Sequence, residues 1–265
     1  MPLIAWIIVF CLVGGALSVL AAAVFLVLGE PLRNRMLPHL ISFATGALLG
    51  AAFMGLLPHA LEAPGITGTH LIPVTVLLGL LCFFLLEKMV IWRHCHADRC
   101  EVHAPGDAHT FEREVRQRSA GTLILFGDGL HNFLDGVLIA GAFLNDVHLG
   151  IVTSLAVAAH EIPQEVGDFA LLLHSGYSRE SALFYNVLAS LTTVVGGILS
   201  YYTLSDLQSA LPYVLAVAAS SFIYIAVADL IPTLHQRVEV RETFYQIVLM
   251  AAGLLVIYVT HSTLH

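Results

Sequence analysis

Two short stretches carry residue types that bind divalent cations. HNFLD contains His131, Asn132 and Asp135, and HEIPQ contains His160, Glu161 and Gln164. In a helix, offsets of three and four residues share a face. Asp128, His131, Asn132 and Asp135 make one such stripe, and Glu161, Gln164, Glu165 and Asp168 make a second, with His160 on the same side as Gln164. Carboxylates supply charge to a cation, while imidazole and amide oxygen complete its shell. The second stripe follows the apolar run IVTSLAVAA, residues 151–159. A charged side chain at mid-bilayer costs roughly 3 kcal/mol on insertion scales. So many polar groups must therefore face one another, water or an ion. For Asn132 alone, a hydrogen bond across a helix interface is an alternative reading.

The elements that must position these stripes are membrane helices. The chain has 265 residues, 58% of them hydrophobic and 11% charged, whereas soluble domains carry about 25% charged residues. The sequence predicts an all-α polytopic membrane protein with apolar runs at roughly 3–28, 38–61, 70–92, 119–143, 149–174, 181–202, 207–234 and 243–262, each close to the ~20 residues a span needs. Period-2 alternation is absent, which argues against a barrel. LPYV, residues 211–214, could split the seventh run. Without basic residues ahead of its apolar stretch, the N-terminus reads as a retained first span rather than a secretory signal.

The 11 basic residues test this count. Arg33, Arg35, Lys88, Arg93, Arg99, Arg113, Arg116, Arg118, Arg179, Arg237 and Arg241 all fall at or between spans 1–2, 3–4, 5–6 and 7–8. The opposite connections carry Glu62, Asp146 and Asp206. By the positive-inside rule both termini lie outside the cytoplasm, in a plasma or bacterial inner membrane. The chain divides into helices 1–3 (1–92), a cytoplasmic His-rich loop (93–118), the two striped helices (119–174) and helices 6–8 (175–265). The loop holds His94, Cys95, His96, Cys100, His103 and His109. It reads equally as a metal-binding tract or a linker. Cys11 and Cys82 read as packing residues.

Other polar residues extend a path. His59 and Glu62 end span two on the outer side; Asn186 lies in span six; Asp229 and His235 close span seven near the cytoplasm. Pro163 should kink span five and free the Ala159 carbonyl. Gly127, Gly129, Gly136 and Gly141, and the run GALLGAAFMG at 46–55, should permit close helix contact.

These motifs resemble a known family. HNFLDG, 131–136, is similar to the fourth-span signature of the ZIP metal-ion transporters. HEIPQEVGDFALLL, 160–173, resembles the fifth-span signature in its LIV-1 form. The resemblance implies import of divalent cations with Zn2+ favoured, a 3+2+3 arrangement with an inverted repeat, and frequent homodimers. It implies a metal role for His131, Asn132, Asp135, His160, Glu161 and Gln164, with Asp135 as the bridge where two ions bind. Two departures bear on that second ion. Gln164 stands where LIV-1-like members commonly have His, and Thr192 and Thr193 stand near the place of an acidic span-six ligand.

The expectation is a transporter rather than an enzyme, with Zn2+ as substrate and Fe2+, Mn2+, Co2+ or Cd2+ compatible with the donors. No feature points to a nucleotide or to nucleic acid. The rival reading is an intramembrane metallohydrolase, since HEIPQ differs from H-E-x-x-H in its last residue. A metal sensor is a third.

Overall fold

A computed structural model describes residues 1–63, 70–97, 108–236 and 239–264 of the chain, and all regular structure in them is helical. Five stretches of that description are long and apolar enough to cross a membrane: Leu3–Val27, Pro31–Glu62, Arg179–Leu204, Gln208–His235 and Val240–Ser262. The protein is a multi-pass membrane protein. The metal-binding reading of the tract from His94 to His109 rests on side chains outside the described residues.

The first apolar stretch is two helices, α1 (Leu3–Gly14) and α2 (Ala16–Val27), broken at Gly15. The second is α3 (Glu30–Gly50), a π-helical turn over Ala51–Leu56, and α4 (Leu57–Glu62). Pro58 explains the wide turn. It offers no N–H, and its ring would collide with the carbonyl four residues back; a π turn relieves both. Next comes α5 (Leu71–Ala97). The stripes lie on α6 (Ala108–Asn145) and α7 (Val147–His174). Then follow α8 (Arg179–Ser190) and α9 (Thr192–Leu204), broken at Leu191.

Span seven does not split at Pro212. A 3-10 turn over Gln208–Ala210 leads into α10 (Leu211–Tyr224), where Pro212 occupies the first turn. Proline is well placed there, because that N–H has no helical partner anyway. A second π turn, Ile225–Leu230, precedes α11 (Ile231–His235), again with proline, Pro232, just beyond. The last helix is α12 (Val240–Leu264).

Packing sorts the helices into two assemblies. One contains α1, α2, α6, α7, α8 and α9; the other contains α3, α4, α5, α10, α11 and α12. In each, one helix pair approaches to backbone distance at reciprocal glycines. A Cβ on Gly136 would meet the Thr193 carbonyl, and one on Gly196 would meet that of Phe133. Likewise Gly46 lies against the Met250 carbonyl and Gly253 against that of Phe43. Gly141 packs on Val214, but Gly127 has nothing within 4 Å and serves no close contact. The assemblies meet over a core that includes Leu48, Leu56, Phe143, Leu149, Leu215 and Phe222, all at or below 2% exposure.

Candidate metal centre

The register of the two striped helices is set by a one-residue corner. Asp146 alone separates α6 from α7, and its Oδ1 accepts hydrogen bonds from the backbone N–H of His148 and Leu149 at 2.8 and 2.9 Å. That cap satisfies donors the first turn of α7 would otherwise leave unpaired. The two helices then run back antiparallel. His131 and Glu161 stand the same number of residues from Asp146, so they lie level with each other. Asp128 and Glu165 pair one turn nearer the start of α6.

Four donors converge at the first level. Nε2 of His131 is 3.3 Å from Nε2 of His160, 3.5 Å from Oε1 of Glu161 and 3.7 Å from Oδ2 of Asp135. Nε2 of His160 is 3.3 Å from Asp135 Oδ2 and 3.6 Å from Glu161 Oε1. The four ligand atoms all lie within 4.8 Å of one another. A tetrahedral zinc site with bonds of about 2.0–2.1 Å has ligand–ligand edges of about 3.3 Å. The five edges that involve a histidine, 3.3–3.7 Å, sit at or slightly above that value.

The hydrogen bonding points the same way. His160 Nδ1 donates to the Ala156 carbonyl at 3.1 Å, which leaves Nε2 with its lone pair toward the centre. A backbone carbonyl in that role commonly orients a ligating imidazole. The carboxylate oxygens of Asp135 and Glu161 are buried without a hydrogen-bond partner. Asp135, His160 and Glu161 have side chains no more than 1% exposed, while His131 retains 25%. Lone pairs crowded in this way repel. One dication neutralises both carboxylates and satisfies all four atoms together, whereas a single proton bridges only two. Phe222, on α10 of the other assembly, closes one side, with its ring centroid 6.1 Å from that of His160.

Asn132 is engaged elsewhere. Its amide donates to Asp128 Oδ1 at 2.8 Å, and its Oδ1 accepts from the Thr193 hydroxyl at 2.9 Å. Thr193 thus has a role the sequence did not disclose: it ties α9 to α6 through the residue beside His131. Thr192 adds a 2.6 Å bond to the Gly129 carbonyl. Gln164 is half-buried one turn beyond His160. Pro163 lies inside α7, which continues through it to His174.

The remaining sequence-derived candidates lie outside the four-donor group. Glu165 is fully buried with both carboxylate oxygens unpartnered, Asp128 is buried with Oδ2 unpartnered, and Asn186 is buried on α8 with Oδ1 unpartnered. Asp168 is half-buried on the same stripe as Glu165. At the other end of the protein His59 is half-buried, its ring 5.6 Å from that of His261, and Glu62 is exposed. Asp229, in the second π turn, and His235, at the end of α11, are exposed. Phe222 left no signal in the sequence, because one aromatic residue in an apolar run reads as lipid or core contact.

Known proteins match the chain over these same helices. The family model described as ZIP zinc transporter matches residues 93–261. Zinc transporter ZIP13 of Pongo abelii is 31% identical over 268 aligned residues, which cover 93% of this chain and 76% of that protein. Zinc transporter foi of Drosophila melanogaster is 40% identical over 133 residues, half of this chain but 18% of the fly protein. Zinc transporter ZIP10 of Homo sapiens is 33% identical over 141 residues, 53% of this chain and 17% of its own length.

Proposed function

The chain belongs to the ZIP zinc transporter family, and on that premise we propose that it carries Zn2+ into the cytoplasm through one metal centre between α6 and α7. His131, Asp135, His160 and Glu161 are the ligands. The observation that carries this reading is their geometry: two imidazole nitrogens and two buried carboxylates within 4.8 Å of one another, with edges to the imidazoles of 3.3–3.7 Å. The centre holds a single ion, because Asn132 is bonded to Asp128 and Thr193 and Gln164 brings no charge. The N2O2 donor set also admits Fe2+, Mn2+, Co2+ and Cd2+.

The direction follows from charge. Arg33, Arg35, Lys88, Arg179 and Arg241 belong to the connections placed in the cytoplasm, and Glu62, Asp146 and Asp206 to the opposite ones. On this placement His59 and Glu62 face the outside. Asp128, Glu165 and Asp168 lie on the cytoplasmic side of the centre, and Asp229 and His235 stand at the cytoplasmic end of α10–α11. A dication moving inward gains about 4.6 kcal/mol per 100 mV of membrane potential. Because the ligands belong to one assembly and Phe222 to the other, a shift of one against the other exchanges the side to which the ion is open.

The eight-span, 3+2+3 inverted-repeat arrangement is supported by paired irregularities. The first and sixth rods are each broken, at Gly15 and Leu191. The second and seventh each carry a π turn ahead of a proline. α5 and α12 are each uninterrupted. The breaks also meet: a Cβ on Gly15 would lie 2.6 Å from the Ser190 carbonyl.

ZIP family members are transporters and not enzymes. In a metallohydrolase the Glu of the motif stands beside the metal as a base, whereas Glu161 is one of four donor side chains that converge on one point, which favours a ligand role. Reconstituted in proteoliposomes, the protein should give saturable Zn2+ uptake that competes with Cd2+ and Co2+. Uptake no faster than in empty vesicles would reject the proposal.

A further inference from the structure

Away from the metal centre, α3 and α12 line an open cavity edged by charged side chains. The glycine contacts at Gly46 and Gly253 hold the two helices together near their middles. Toward the start of each helix a space of about 630 Å3 opens between them. Arg35 and His39 line it from α3; Arg241, Glu242 and Tyr245 line it from α12. Tyr245 organises the site. Its ring centroid is 6.0 Å from that of His39 and 5.7 Å from the Arg241 guanidinium carbon. His39 Nδ1 donates to the Arg35 carbonyl at 2.7 Å, so Nε2 is the ring nitrogen left for a ligand. Among the described residues neither Arg35 nor Arg241 forms an ion pair with a carboxylate. The cavity also lies against the first turn of α12, which carries Glu242 and whose helix dipole favours an anion.

Two arginines lining one space suit a phosphate group. Free phosphate and a lipid headgroup share that chemistry, but the wall distinguishes them. It continues along α12 as Val248 and Leu249, with Val248 46% exposed, inside the stretch long and apolar enough to cross a membrane. A largely apolar pocket edged by arginines, running into an exposed apolar helix face, matches an amphiphile. We propose that this cavity binds an anionic glycerophospholipid, with its phosphate between Arg35 and Arg241 and an acyl chain along Val248 and Leu249. Glu242 is the acid among the lining residues, and it weakens the site. The proposal rests on the membrane reading of the chain and is independent of zinc passage.

The test uses the full chain, purified in mild detergent, exposed to mixed micelles of equal phosphatidylglycerol and phosphatidylcholine. Native mass spectrometry counts the retained lipids. Phosphatidylglycerol should be preferred, and Arg35→Gln with Arg241→Gln should lower that preference by about thirtyfold. Glu242→Gln should raise it, a gain that misfolding does not produce. Arg179→Gln, on the other assembly, should leave it unchanged. The proposal is overturned by equal retention of the two lipids in the wild type, by a preference indifferent to both Glu242→Gln and the arginine pair, or by displacement of the lipid with excess inorganic phosphate. None of these outcomes bears on zinc uptake, so the two proposals fail separately.

Discussion

The α6–α9 and α3–α12 pairs are built alike and differ in what they carry. Each is joined by two glycines facing main-chain carbonyls, Gly136 and Gly196 in one, Gly46 and Gly253 in the other. Lipid removes the hydrophobic drive that joins helices in water, so close backbone packing replaces it. Around α6–α9 this packing sits beside His131, Asp135, Asn132 and Thr193; around α3–α12 it sits beside apolar residues and a peripheral basic cavity. Tight helix contact is therefore a general property of the protein. The candidate metal centre differs only in the donors placed next to one of those contacts.

Removing a donor should produce the largest separation between the two pairs. Asp135→Ala takes away half of the negative charge that balances the ion. Loss of a group that only supports a ligand costs about 10–100-fold in metal affinity, so Zn2+ affinity should drop by more than that while thermal unfolding of the purified protein moves little. Isothermal titration beside an unfolding scan reads both, and an unchanged affinity would remove Asp135 from the centre.

A middle-sized effect distinguishes glycines on a single helix. Gly136→Ala places a methyl against the Thr193 carbonyl, with main chain on both sides. Overpacking of this kind costs roughly 1–3 kcal/mol. Gly127→Ala meets nothing within 4 Å and should be neutral or stabilising by up to about 1 kcal/mol. Gly46→Ala should resemble Gly136→Ala in stability but spare zinc affinity. Denaturation midpoints for the three proteins check the order; equal midpoints for Gly127→Ala and Gly136→Ala would refute the packing account.

The smallest change is expected from Thr193→Val, which leaves Asn132 Oδ1 buried without its donor. An unsatisfied buried acceptor costs about 1–3 kcal/mol, and with the helices otherwise intact the lower end applies. Asn132 keeps its bond to Asp128 and is not one of the four converging donors, so zinc affinity should change less than about threefold. A second bound zinc per chain in the variant, measured by elemental analysis, would mean that Thr193 is what keeps the centre mononuclear.

The donor set was legible because helical offsets select one face, and a stripe of carboxylates in lipid demands a partner. The structure brings together His131, Asp135, His160 and Glu161 from those stripes. Asn132 was not separable from them by spacing, since its diversion depends on Thr193 from a helix distant in sequence. Pro212 marked a boundary in both readings, but it begins a helix rather than dividing one. Pro58 and Pro232 gave no hint of the wide turns ahead of them, because how the backbone absorbs a missing N–H depends on its neighbours.

Those two wide turns have a geometric consequence. A π turn inserts one extra residue into the helical repeat, and each residue advances a helix by about 100°. Beyond Ala51–Leu56 and Ile225–Leu230, every side chain is thus rotated relative to an uninterrupted rod. Deleting a single residue from either turn would swing the far segment around its own axis by the same amount. In the first rod affected, His59 and Glu62 would be re-aimed together, like the tip of a screw given a fraction of a turn while its head stays fixed.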